Sequence, residues 1–86
     1  MRKIWSDDAW EDYLYWQTQN KKTVKKINDL IKDIARTPFS GIGSPEPLRH
    51  NLSGLWSRRI DHENRIVYFI DNGIEHIVAC RSHYED

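Results

Sequence analysis

The 86-residue chain contains a single cysteine, Cys80. One thiol closes no intramolecular disulfide, and no His/Cys/Asp/Glu cluster has the spacing of a metal site. Cys80 sits in an apolar run, which predicts a buried, unreactive thiol. No segment approaches the ~20 apolar residues that span a bilayer. No signal peptide is visible, because the first apolar stretch is short and acids follow at once. These absences predict a cytoplasmic protein without membrane contact. Net charge is missing as well, with 13 Lys/Arg against 13 Asp/Glu. A zero balance argues against a plain nucleic-acid-binding domain. Proline and glycine are scarce, three and four, and Pro38, Gly41, Gly43, Pro45 and Pro47 crowd into one stretch. There is no internal repeat, and the length suits one domain over residues 1–86.

What is present is uneven charge and clear periodicity. Residues 21–65 hold ten Lys/Arg and five Asp/Glu, and the remainder holds three and eight. A basic middle between acidic flanks makes a local positive field without a positive total. Met1–Trp5 can form a strand. Ser6 or Asp8 can cap a first helix whose apolar face is read from Trp10, Tyr13, Leu14 and Gln17. Asn20 can cap a second helix with Val24, Ile27, Leu30, Ile31 and Ile34 on one face. Thr37-Pro38 stops it, since the residue before proline avoids the α region. Residues 38–47 read as a loop that holds Glu46 between two prolines. Strands follow at Leu55–Ile60, Arg65–Ile70 and Ile74–Arg81, the last two joined by an Asn72-Gly73 hairpin signal. Two helices followed by a mainly antiparallel sheet make an α+β domain.

The second half carries the chemistry. Glu46, a set of cations (Arg49, Arg58, Arg59, Arg65, Arg81), His83 and Tyr84 come from different strands or loops. If they converge, they form a metal-free site for cutting RNA. A carboxylate takes the proton of a ribose 2′-OH, guanidinium groups hold the phosphate, and an imidazole protonates the departing 5′-oxygen. Side chains alternate along strands, so Ser57 and Arg59 face one way and Trp56, Arg58 and Ile60 the other. Three unpaired loop residues, or a bulge, would pair Arg59 with Arg65 on one face. A symmetric two- or four-residue turn would separate them. The sequence leaves this open.

The chain resembles the YoeB/Txe toxins of the RelE/ParE superfamily. The likeness rests on Ile4-Trp5-Ser6, Asp12-Tyr-Leu-Tyr-Trp16, Lys25-Lys-Ile-Asn28, Pro45-Glu-Pro-Leu48, His50-Asn-Leu-Ser-Gly54, Trp56-Ser-Arg-Arg-Ile60, Arg65-Ile-Val-Tyr68, Ala79-Cys-Arg81 and His83-Tyr84. Such toxins are ribosome-dependent mRNA interferases with a microbial-ribonuclease-like fold. The resemblance implies Glu46 as general base, Arg65 on the phosphate, His83 as general acid and Tyr84 orienting substrate. Arg49, Arg59 and His50 join the substrate- or phosphate-binding group, although His50 also suits a structural role. Arg49 stands where the family commonly has Lys, so the charge is kept and the geometry is not. Glu85-Asp86 extend beyond the His-Tyr ending. No cofactor or metal is implied. The implied partners are a cognate antitoxin, the ribosome and mRNA, with a homodimer allowed. The alternative within the superfamily is a ParE-like, non-catalytic binder of a target such as gyrase.

Overall fold

The structure, a computed structural model, describes residues 1–82, with side chains for residues 1–81. Strand β1 (Arg2–Trp5) leads into helix α1 (Asp7–Gln19). Ser6 caps α1 by accepting the Ala9 N–H at 3.0 Å. Asp7 and Asp8 lie in its first turn, where the helix dipole favours negative charge. Asn20 ends α1 and starts helix α2 (Lys21–Arg36), its carboxamide oxygen accepting from the Lys22 and Thr23 N–H groups. Helix α2 buries Ile27, Leu30, Ile31 and Ile34, with Val24 packed alongside. It ends at Arg36, one residue before Thr37-Pro38.

The inward face of α1 differs from the expected one. Ala9 and Trp16 are buried, whereas Trp10 and Leu14 are 46% and 41% exposed. The line toward the sheet is Ala9, Asp12, Tyr13 and Trp16, an i, i+3, i+4, i+7 set. A polar residue in that line hides it from the hydrophobic pattern. The Asp12 carboxylate accepts the Cys80 N–H at 2.9 Å, and the Trp16 indole donates to the Cys80 carbonyl at 2.8 Å. Cys80 is fully buried there, and burial, reinforced by the Asp12 charge, pushes its thiol up to about 12. The thiol is therefore un-ionised and inert at neutral pH, as its apolar setting predicts.

The sheet continues with β2 (Glu46–Pro47), β3 (Trp56–Arg59), β4 (Arg65–Asp71) and β5 (Ile74–Ser82), in the order β1-β5-β4-β3-β2. Strands β1 and β5 run parallel and the other pairs antiparallel. Asn72 and Gly73 turn the last hairpin with φ of 53° and 72°, the left-handed pair this tight turn requires. Register against β4 steps from Arg65–Ser82 to Val67–Ala79 to Tyr68–Ile77, so β5 carries extra residues. The resulting irregularity lets both Ile77 and Cys80 reach the helix-side core with Ile66 and Tyr68. The opposite face holds a smaller cluster of Leu48, Val67 and Ala79. Within the Pro-Glu-Pro segment, expected as loop, Glu46–Pro47 forms a two-residue edge strand. Pro47 is tolerated there because an edge leaves one side of the ladder unpaired.

Arg58 leaves the group of cations assembled from the sequence. Its side chain is fully buried on the helix side. It donates to Asp33 Oδ2 at 2.6 Å, to the carbonyls of Thr37, Ser40 and Ile42, and to the Tyr68 hydroxyl at 3.2 Å. The Tyr68 hydroxyl in turn donates to the Pro38 carbonyl at 2.6 Å. These bonds tie the 37–42 loop to the sheet and satisfy a charge that would otherwise be prohibitive to bury. The Ile42 N–H and then the Arg58 guanidinium hold the Asp33 carboxyl below its ordinary range. Gly41, at φ 121°, completes the corner, since a Cβ there would overlap the Asp33 carboxylate.

Candidate active site

The face of the sheet away from the helices gathers the polar groups. Glu46 on β2 is the register partner of Ser57 on β3, and Ser57 is the partner of Val67 on β4. Two positions further along β3, Arg59 is directly opposite Arg65. The loop decides this. Ile60 N–H bonds to the Asn64 carbonyl at 2.9 Å, which leaves residues 61–63 as the three-residue connection that puts both arginines on one face. Asp61 holds that connection, its Oδ1 accepting the N–H groups of Glu63 and Asn64 at 2.8 and 2.7 Å.

Two like charges facing each other across a ladder need an anion. Glu46 supplies one: Arg65 Nη1 donates to Glu46 Oε1 at 2.8 Å. The same nitrogen reaches the buried Ser57 hydroxyl at 3.1 Å. Arg65 is only 12% exposed while Glu46 is 55% exposed. The guanidinium is thus half-sunk and fixed, and the carboxylate stands at the rim. Leu48, Val67 and Ala79 form the apolar floor beside them. Ser57 carries no catalytic signal of its own in the sequence, although its alternation with Arg59 places it on this face.

The other expected residues divide. Arg49 and His50 are exposed in the short 3-10 turn that follows β2. Arg81 turns toward α1 and stacks 3.5 Å over the Tyr15 ring. His83 and Tyr84 lie outside the described residues. Ser82, which precedes His83 in sequence, is the register partner of Arg65. So Glu46, Ser57, Arg59 and Arg65 are brought together, and Arg58 and Arg81 point elsewhere. A carboxylate within hydrogen-bond reach of a fixed guanidinium, with a second guanidinium opposite, can bind a phosphoryl group and accept a proton beside it.

The comparisons with known proteins concern the chain as a whole and its fold. The chain is 61% identical over 84 residues to the toxin YoeB of Escherichia coli K12, covering 98% of this chain and all of that one. It superposes on the YoeB dimer structure from Staphylococcus aureus with a TM-score of 0.91, at 48% identity and 98% coverage of both chains. The YoeB–YefM complex from the same organism gives 0.90 at 49% identity, again covering 98% of both chains. The model of the YoeB-like toxin of bacterial type II toxin–antitoxin systems matches residues 5–84. This protein belongs to that toxin family.

Proposed function

We propose that this toxin is a ribosome-dependent endoribonuclease that cleaves mRNA and so halts translation. The observation that carries the reading is the Glu46–Arg65 contact at 2.8 Å on a sheet face shared with Arg59. Arg65 holds the scissile phosphate and the charge that develops on it. Nη1 serves Glu46 and Ser57, and a guanidinium has further donors for phosphate oxygens. Glu46 takes the 2′-OH proton at the rim, where a ribose can reach it. His83 protonates the leaving 5′-oxygen, and Tyr84 orients the substrate. Arg59, Arg49 and His50 contact the flanking backbone. The ribosome contributes orientation by presenting a single-stranded codon.

Purified protein on programmed ribosomes is expected to cut the message and to leave gyrase supercoiling activity unchanged. Gyrase inhibition without cleavage would replace this reading by the ParE-like one. Arginines occupy the role that a metal ion takes in many nucleases. Stripping transition metals, with Mg²⁺ retained for ribosome integrity, is therefore expected to leave the cleavage rate unchanged. A rate restored only by one added transition metal would sink the metal-free scheme.

The partners follow the family. A cognate antitoxin and a homodimer are the proposed assemblies, supported by the S. aureus YoeB–YefM complex and YoeB dimer. Among the described residues no helix is long and apolar enough to cross a membrane. A cytoplasmic site of action is part of this proposal, because ribosomes and mRNA are there.

A further inference from the structure

Two recesses adjoin on the side of Arg65 reached through the 61–63 connection. The first, of about 170 Å³, lies between Arg59, Asp61, His62 and Arg65. The second, of about 390 Å³, shares Arg59, Asp61 and His62 and extends to Lys26 of α2 and to Ser44. Together they run from the phosphate-holding arginine toward the basic helix. Arg59 and His62 are exposed and Lys26 is half-buried. Among the described residues none of these three side chains makes a hydrogen bond or ion pair. The walls are built rather than loose. The Arg59 N–H is bonded to the Gly43 carbonyl at 2.7 Å, which fixes the 43–44 corner against β3. Asp61 also borders both recesses, but its carboxylate already accepts the Glu63 and Asn64 N–H groups and the Asn64 carboxamide. Partial burial pulls its carboxyl up, but the Glu63 and Asn64 N–H groups, the Asn64 carboxamide and the nearby His62 together hold it below the ordinary range. Its carboxylate serves its own turn, and Arg59 and Lys26, which border the second recess, are left for another anion.

We propose that the cleft between Lys26, Ser44, Arg59 and His62 is a second phosphate subsite, holding the RNA phosphate next to the one at Arg65. The inference rests on the reading of Arg65 as the scissile-phosphate ligand. The subsite binds backbone and carries no base information. It lengthens the grip on a single strand beyond the cleavage point.

The test uses uncleavable 2′-O-methyl probes with the whole protein: a dinucleotide with one phosphate and a trinucleotide with two. The trinucleotide is expected to bind several-fold more tightly, with a salt slope steeper by ~0.7 for the extra phosphate. The double variant K26Q/H62Q, with both changes on the surface of the fold, is expected to erase that gain and leave dinucleotide affinity unchanged. R65Q is expected to weaken both probes. A gain that survives in K26Q/H62Q would overturn the subsite, as would equal wild-type affinity for the two probes or no measurable trinucleotide binding. Dinucleotide affinity untouched by R65Q would instead overturn the parent reading. A Glu-rich hexapeptide that binds with dependence on Lys26 and His62, while the trinucleotide shows no gain, would assign the cleft to a protein partner and sink the proposal.

Discussion

A message whose single 2′-hydroxyl, on the nucleotide 5′ to the cut, is replaced by hydrogen is expected to resist cleavage while binding the ribosome–toxin complex almost normally. The hydroxyl is the nucleophile in the proposed reaction, so its loss removes the attacking atom and not a binding contact. Cleavage of the normal message should leave a 5′-hydroxyl downstream and a cyclic or 3′-phosphate upstream. His83→Ala and Glu46→Ala are each expected to slow the chemical step by roughly 10²–10⁴-fold with little change in ribosome affinity, because acid–base groups act in the transition state. Arg65→Ala should cost about 10²–10³-fold, as for other removed electrostatic stabilisers. Glu46 and Arg65 touch at 2.8 Å, so their losses should combine non-additively in the double variant. Efficient cutting of the deoxy message, or a 5′-phosphate on the product, would refute 2′-OH attack. Single-turnover rates on programmed ribosomes separate these effects from binding.

Glu75 should set a pH dependence of stability. It is on β5, beside Lys3 of β1 and Ile70 of β4, and is fully buried. Neither carboxylate oxygen has a hydrogen-bond partner among the described residues. Burial pushes its carboxyl from 4.5 up to about 7, against the weaker pull of Lys3, the N-terminal amine and Arg58. The Tyr68 hydroxyl lies in the same neighbourhood, itself raised chiefly by burial. In the unfolded chain Glu75 loses its proton near the ordinary value, whereas the fold keeps it protonated. The folded state therefore binds more protons through this window, and stability falls as pH rises across it. The penalty is absent below the unfolded value and complete above the folded one. Its size is about 3 kcal/mol, since each tenfold change in proton affinity is worth ~1.4 kcal/mol.

Glu75→Leu, similar in size and without charge, is expected to stabilise the protein strongly at pH 8. The corresponding rise in melting temperature is roughly 10–20 °C for a domain of this size. At pH 5 the gain should shrink to the contribution of added apolar burial. Denaturant titrations of both proteins at the two pH values give the comparison. An equal gain at pH 5 and pH 8 would show that Glu75 is ionised or hydrogen-bonded in the native state at both.

The residues that can be read in advance are those whose signal is local. The α2 stripe of Ile27, Leu30, Ile31 and Ile34 repeats at helical spacing and is buried as expected. Asn20 and Asn72-Gly73 act through their own backbone neighbourhoods. Glu46, Arg59 and Arg65 stand out by residue type and by the resemblance, and they do share one face. The α1 face departs from its apolar pattern because Asp12, a charged residue, points inward to a backbone N–H from a strand 68 positions later. No periodicity of apolar residues reports such a partner. Glu75 gives no warning either, since an isolated carboxylate in a strand ordinarily faces water.

By itself, then, the order of residues determined the family, the α+β class, the helix ends and the last hairpin, and it named the candidate groups for acid–base or phosphate chemistry. Each depends on side-chain type, spacing or turn residues a few positions apart. Tertiary structure decided where each cation goes. Arg58 and Arg59 are adjacent in sequence, yet strand alternation sends one into a buried pair with Asp33 and the other to the open face. It also decided that Arg59 and Arg65 face each other, because the three-residue connection at 61–63 sets their register. Glu46 meets Arg65 only because a two-residue edge strand pairs with β3. Those outcomes depend on register and on contacts between distant segments, which a linear pattern leaves undetermined.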